Sequence, residues 1–192
     1  MRAMRADVQA IVIGLDARAR REVQSAMRRI AAQGDTGTRR GRHRMLGEAL
    51  GVLIAAEASW THGHAEGGGL RAAEDAKRQF TELAHRARSR FDVEVIRNTG
   101  GAVTTQPAPP LAPSDEPGVV IVTVVVASSR EIPDVGAPAD RASLRAGLEA
   151  LRAIGEDDLI AMEVVWSPAE EADRVSVAQL ESRHPEIRRL AS

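Results

Sequence analysis

The sequence predicts an α/β (or α+β) fold: a small three-stranded mixed sheet with a helical insertion packed on it. The expected order is strand, helix, helix, helix, strand, helix, strand, helix. Two apolar runs and one leucine stripe carry this expectation. Val119 to Ala127 reads Val-Val-Ile-Val-Thr-Val-Val-Val-Ala, nine residues without a charge, the pattern of a strand covered on both faces. Leu159 to Pro168 reads Leu-Ile-Ala-Met-Glu-Val-Val-Trp-Ser-Pro, a second strand with one acid, Glu163. Between them Leu144, Leu148 and Leu151 fall at i, i+4 and i+7, one stripe of a helix between Arg141 and Arg152. Strand, helix and strand with short loops read as a βαβ unit, so these two strands are expected to lie parallel through a right-handed crossover.

The front of the chain supplies the third strand, Val8 to Leu15, with Asp16 placed to cap the helix that follows. Ala19, Val23, Met27 and Ile30 share one face of that helix, and Arg18, Arg20, Arg21, Arg28 and Arg29 lie mostly off it. Gly34 to Arg42 reads as a polar connection, ending in the basic run Arg39-Arg-Gly-Arg-His-Arg44. Met45 to Ser59 is apolar almost all round and reads as a central buried helix, with Gly47 and Gly51 spaced to let another backbone approach. It is shorter than the ~20 apolar residues a bilayer requires. Trp60 to Gly69 reads as a glycine-bounded turn between helices. Leu70, Ala73, Lys77, Phe80, Ala84, Ala87 and Phe91 then trace a long helix, with Arg71, Arg78, Arg86, Arg88 and Arg90 on its remainder. The whole insertion, Ala17 to Phe91, is expected to set three helices against one face of the sheet. Asn98 to Gly118 holds Pro107, Pro109, Pro110, Pro113 and Pro117 and reads as an extended Pro-rich loop. Val175 to Leu190 is expected to close the fold. Residues 1–192 are read as a single domain, divided into 8–33 strand plus helix, 43–91 helical insertion, 98–118 loop and 119–192 for the βαβ unit and C-terminal segment.

Composition narrows the function classes. The 192 residues are 43% hydrophobic and 28% charged, an ordinary globular mix. Cysteine is absent, which removes thiolate catalysis, disulfides and Cys-ligated metal centres. The start of the chain shows no signal-peptide pattern, and a cytoplasmic location is expected. Residues 1–100 hold Lys77 and 17 Arg against 12 acids, a balance of +6, whereas residues 101–192 balance at −7. A basic front half invites nucleic acid or anionic lipid as a partner. Aromatic residues are only 2% of the chain and Tyr is absent, so base-stacking platforms are missing and nucleic-acid binding is not expected.

Three groups of residues could carry chemistry. His62, His64 and Glu66 offer two imidazoles and a carboxylate, donors that suit zinc, but in a spacing that matches no known closed site. Glu163 and Trp166 sit on one strand three residues apart, so they point to opposite faces. A buried Glu163 would need an Arg or hydrogen bonds, or its pKa would rise into the range of a general acid. Arg39, Arg40, Arg42 and Arg44 could meet phosphates or acidic lipid headgroups. No cofactor is expected.

The succession of a strand and helix at the start, the Val-rich strand, the Leu-spaced helix, Ala161-Met-Glu-Val-Val-Trp-Ser-Pro168 and His184-Pro-Glu-Ile187 with Leu180 and Leu190 resembles an uncharacterised family. That family is found in cyanobacteria and chloroplasts and includes the plant fluctuating-light acclimation proteins. Its members look more like Glu-Val-Leu-Trp-Thr-Pro at the strand end and Tyr-Pro in the tail, so His184 stands in for an aromatic residue. The resemblance implies no catalytic residues. It implies a membrane segment or a Gly/Ser-rich region ahead of the domain, and the sequence shows neither. With no coherent catalytic constellation, the chain is expected to be a noncatalytic interaction or regulatory domain with a protein partner. The alternatives are a metal-dependent or small-molecule enzyme using His62, His64 and Glu66 or Glu163, and a binder of anionic membrane or nucleic acid through Arg39 to Arg44.

Overall fold

Strand β1 (Arg5–Asp16) is buried from residue 6 to residue 15, because small and β-branched residues alternate onto both of its faces. The computed structural model describes residues 5–90, 97–99, 102–104, 118–167 and 175–191. After β1 come α1 (Arg20–Gln33), α2 (Arg39–Ala55), β2 (Trp60–Gly67), β3 (Arg71–Ala72) and α3 (Ala73–Ser89). The short pair β4 (Arg97–Thr99) and β5 (Ala102–Thr104) precedes β6 (Gly118–Ser128), α4 (Arg141–Arg152) and β7 (Leu159–Ser167). The chain closes with β8 (Val175–Ser176), α5 (Val177–Arg183) and β9 (Arg188–Arg189).

The sheet is larger than the three strands expected, and it is antiparallel rather than mixed. Its order is β7-β6-β1-β2-β9, with β3 added to β1 and β8 to β6. β6 and β7 pair antiparallel, Ile121 opposite Ser167 and Ser128 opposite Leu159, so the parallel βαβ unit is not formed. The reason is the connection between them. A crossover helix would carry the chain back along the sheet, but here residues 129–140 make that journey first. Ile132 N–H donates to Asp7 Oδ2 at one end of β1, and by Arg141 the chain has reached the Trp60 carbonyl at the other. Twelve extended residues can span up to about 40 Å, ample for the traverse. Helix α4 then returns the chain to the end it left, where Ser129 N–H donates to the Asp158 carbonyl.

Alternation splits the core. On the first face Ile11, Ile13 and Leu15 of β1 meet Val120, Val122, Val124 and Val126 of β6, with Met162, Val164 and Trp166 of β7 packed alongside. Helices α1, α2 and α4 cover them through Val23, Met27, Leu46, Leu50, Leu144 and Leu148. On the second face α3 sets Ala76 and Leu83 over Ala6, Val8, Ala10 and Val125. Beside it Val175, Leu180 and Ile187 cover Val12, Val119 and Ile121. The three helices of the insertion therefore do not share one face: β2 lies between α2 and α3 and lets the chain change sides.

Helix α4 spans the residues expected, opened by a capping box in which Asp140 and Ser143 satisfy each other's backbone N–H groups. Helix α2 begins earlier than the apolar run. Thr38 caps it by accepting from Gly41 N–H, so the run Arg39 to Arg44 is helical rather than a connection. Gly41 is required there, since a Cβ would lie 2.0 Å from the Asp35 carbonyl oxygen. Gly47 and Gly51 face open space, and no backbone approaches them. In α3 the buried stripe is Ala76, Leu83, Ala84 and Ala87, with Lys77 exposed. Most of the Pro-rich stretch, residues 105–117, lies outside the described residues, as do Phe91 and Pro168. Among the described residues no helix is long and apolar enough to cross a membrane.

Candidate functional site

Trp60 to Gly67 is a strand, not a turn. Its period of two puts Gly63 and Ala65 on the first face and His62, His64 and Glu66 in a row on the second. Room for the first imidazole comes from Gly14 opposite, where a Cβ would lie 2.9 Å from His62 Cβ.

His62 is 1% exposed, with Nδ1 2.9 Å from Thr61 Oγ1 and Nε2 3.3 Å from Glu181 Oε1 on α5. Burial pushes its pKa below the usual imidazole range, and Glu181 opposes this in part. Glu181 is itself held below the usual carboxylate range by hydrogen bonds from His62 and Arg189. Threonine, histidine and glutamate in contact resemble a nucleophile relay, but the threonine hydroxyl has a second acceptor in the backbone. Glu181 can only accept, so a neutral His62 carries its proton on Nε2 and its Nδ1 accepts from the Thr61 hydroxyl, which also lies 3.1 Å from the Gly14 carbonyl.

The next two residues reach a buried cation. Glu66 pairs with Arg86 and lies 3.8 Å from His64 and 3.6 Å from Arg90 Nη2. Arg90, just beyond the end of α3, has a side chain only 2% exposed, and its Nη2 is also 3.6 Å from Glu186 Oε1. Its Nη1 donates to Thr123 Oγ1 on β6 at 3.5 Å, while Nε and Nη2 make no hydrogen bond. His184 donates from Nε2 to the Arg90 carbonyl at 2.9 Å, and its Nδ1 lies 3.5 Å from Glu186. Burial lowers the pKa of Arg90 and of His64 from their ordinary values, with the neighbouring carboxylates working against it.

The structure thus places His62, His64 and Glu66 on one face, but a strand spaces alternate residues about 7 Å apart instead of converging them. Among the described residues no group of three His, Cys, Asp or Glu side chains could hold a metal ion. Glu163 pairs with Arg88 at 2.9 Å on the second face, and Trp166 packs half-buried on the first, so the two do not meet. The arginines of α2 lie in the layer over the first face, apart from both histidines. Arg39 reaches Asp157 at 3.4 Å, Arg42 donates to the Thr36 carbonyl at 2.8 Å, Arg44 lies 3.9 Å from Glu48, and Arg40 is exposed.

Sequence reading missed Arg90, Thr123, Glu181 and Glu186. Arg90 is one of many arginines on a helix pattern, and nothing local marks it as buried. The His184-Pro-Glu186 tail was the one available signal.

No solved structure matches the chain. Protein FLAP1 homolog A of Synechocystis sp. is 31% identical over 186 residues, covering 93% of this chain and 55% of that protein. FLUCTUATING-LIGHT-ACCLIMATION protein 1, chloroplastic, of Arabidopsis thaliana is 25% identical over 172 residues, covering 88% of this chain and 43% of its own length. The chain therefore spans about half the length of the curated relatives it matches. The family described as "Protein of unknown function (DUF1517)" matches residues 5–190, from the first residue of β1 to the residue after β9. With all of the sheet and the cluster around Arg90 inside that match, the chain belongs to this family of proteins of unknown function.

Proposed function

We propose that the domain is a noncatalytic protein-interaction or regulatory module. One observation carries this reading: among the described residues the candidate acids and His62 are engaged by structural partners. His62 is held by Glu181, Glu66 by Arg86 and Arg90, Glu186 by Arg90, and Glu163 by Arg88. These pairs join β2, α3, β7 and the C-terminal segment, which is the work of a brace. The printed name of the Arabidopsis relative speaks of acclimation, a regulatory response, and supports the same reading.

The test is a turnover screen of purified protein against hydrolase and transferase substrates, with Glu163→Gln and His64→Gln alongside. The expected result is no turnover in any of the three. Activity in the wild type that either substitution abolishes would overturn the proposal. Zinc in the purified protein by elemental analysis, with melting raised on adding zinc, would favour a metal-dependent enzyme at His64 and Glu66 instead. A second reading rests on α2, whose first turn carries arginines and no acid, against the preference of a helix N-terminus for negative charge. Anionic vesicles would then bind in a salt-sensitive way that Arg39→Gln and Arg40→Gln together abolish. A cytoplasmic location belongs to the same proposal and is tested by fractionation.

A further inference from the structure

The two edges of the sheet differ sharply. One ends in β9, two residues long, whose Arg188 and Arg189 are both exposed; short charged edges resist pairing with other chains. The other ends in β7, nine residues long, with no Lys and no Pro from 159 to 167. Among the described residues no strand pairs with the outer edge of β7. Nine residues at about 3.4 Å each make a line of N–H and C=O groups roughly 30 Å long. Ile160, 44% exposed, is the exposed large hydrophobic residue of the described chain, and it lies on this edge. The single charge on β7, Glu163, is turned to the second face and neutralised by Arg88.

We infer that the outer edge of β7 is a pairing surface for a second copy of this chain, joined antiparallel, β7 to β7, in a twofold dimer. The inference rests on the interaction-module reading. Self-pairing is favoured because β7 is its own complement. Met162, Val164 and Trp166 occupy the first face, so any register that preserves the faces sets apolar against apolar there, and Ile160 is the extra residue where the β6–β7 register shifts. Charge restricts the register. A twofold axis at Glu163 would oppose two carboxylates, which is unfavourable. An axis at Met162 sets Met162 against itself and Glu163 against Ala161. An axis at Val164 sets Met162 against Trp166 and Glu163 against Val165. Either keeps each Glu163 beside its own Arg88, and either leaves no β7 edge open, so assembly stops at two copies. The ten strands of the two main paths would then form one continuous sheet.

Sedimentation velocity on the full chain, from low to high micromolar, tests this together with amide exchange of β7. The expected species has twice the 20.6 kDa chain mass, with the amides of residues 160–166 that face away from β6 slowing as concentration rises. Ile160→Lys, at a position already exposed, should weaken dimerisation about tenfold or more while leaving the melting temperature of the monomer unchanged. A monomer at every concentration overturns the inference, whether its outer β7 amides exchange freely or stay protected at all dilutions. A dimer indifferent to Ile160→Lys, with β7 exchange independent of concentration, overturns it as well. Turnover in the substrate screen would defeat the module reading and leave sedimentation untouched, so the two failures are distinct.

Discussion

Replacing Arg90 by Met tests whether the buried charge cluster braces the fold. Methionine keeps most of the apolar stem and removes the cation. Each 3.6 Å approach, to Glu66 and to Glu186, is worth about 4–5 kcal/mol gross at an effective dielectric of about 20. Against this stands the desolvation of a guanidinium whose Nε and Nη2 make no hydrogen bond, a cost of several kcal/mol. Breaking a buried pair from one side typically costs about 3–5 kcal/mol. Here the carboxylates are eased, since the Glu66 side chain is 22% exposed and keeps Arg86 while that of Glu186 is 37% exposed. The expected loss is therefore about 2–3 kcal/mol, and at ~2–4 °C per kcal/mol for a chain of this size the melting temperature should fall about 5–10 °C. Thermal unfolding followed by circular dichroism reads this directly. Adding Glu66→Gln and Glu186→Gln to Arg90→Met removes the stranded charges and should recover a good part of the drop. If Arg90→Met melts at or above the wild-type temperature, the cluster is not a brace, and the reading of these residues as structural falls with it.

Acid should weaken the fold through its histidines. Burial holds His62 and His64 below their usual pKa, so between the folded values and about 6.5 the unfolded chain binds more protons. Their contribution is complete above that range and is lost as pH falls through the folded values, at no more than ~1.4 kcal/mol per pH unit for each. Melting scans from pH 8 to pH 5 should show this decline, and His62→Gln should flatten it; a flat wild-type profile would contradict the sign. Gly14→Ala drives a Cβ to 2.9 Å from His62 Cβ and should cost about 1–3 kcal/mol, seen as a lower urea midpoint. Gly47→Ala meets open space within α2 and should instead gain roughly 0.5–1 kcal/mol. Ser176→Ala removes the capping box of α5 and should lower stability by about 1 kcal/mol in the same titration.

What could be read from the sequence was what its apolar residues wrote. Val119–Ala127 and Leu144, Leu148 and Leu151 are buried where their patterns put them, because a continuous run and a 3.6-residue stripe each fit one kind of element. Strand β2 was lost because Trp-Thr-His-Gly-His-Ala-Glu-Gly has three polar groups on one face and glycine or alanine on the other. Its period of two was present, but it opposed polar to small instead of polar to large. The direction of β7 was lost because it depends on how far residues 129–140 travel, and a sequence shows a linker's length and not its path. Arg90 was lost because its burial is produced by partners far along the chain, Glu66, Thr123 and Glu186. Glu163 and Trp166 were assigned to opposite faces correctly, since strand alternation is local.

The charged cluster occupies the place where apolar cover runs short. On the second face one apolar group centres on Ala10 and Val125 under α3, and another on Val12 and Ile121 under the C-terminal segment. Between them His64 lies opposite Val12, and Val12 opposite Thr123, so Arg90 and its carboxylates bridge the two groups. With aromatic residues only 2% of the chain and two phenylalanines in all, large apolar side chains to fill that seam are scarce. A long arginine stem can fill it, provided acids neutralise the head. The C-terminal segment needs that help. Helix α5 has seven residues and β9 two, too short to hold themselves in place, and Leu180 and Ile187 alone anchor little area. Histidines and glutamates that look catalytic in the sequence thus reinforce the backbone ladder of His62 and Gly63 with Arg188 and Arg189 that closes that edge of the sheet. The edge that no such tie closes is β7, which is where a partner of this domain should be sought.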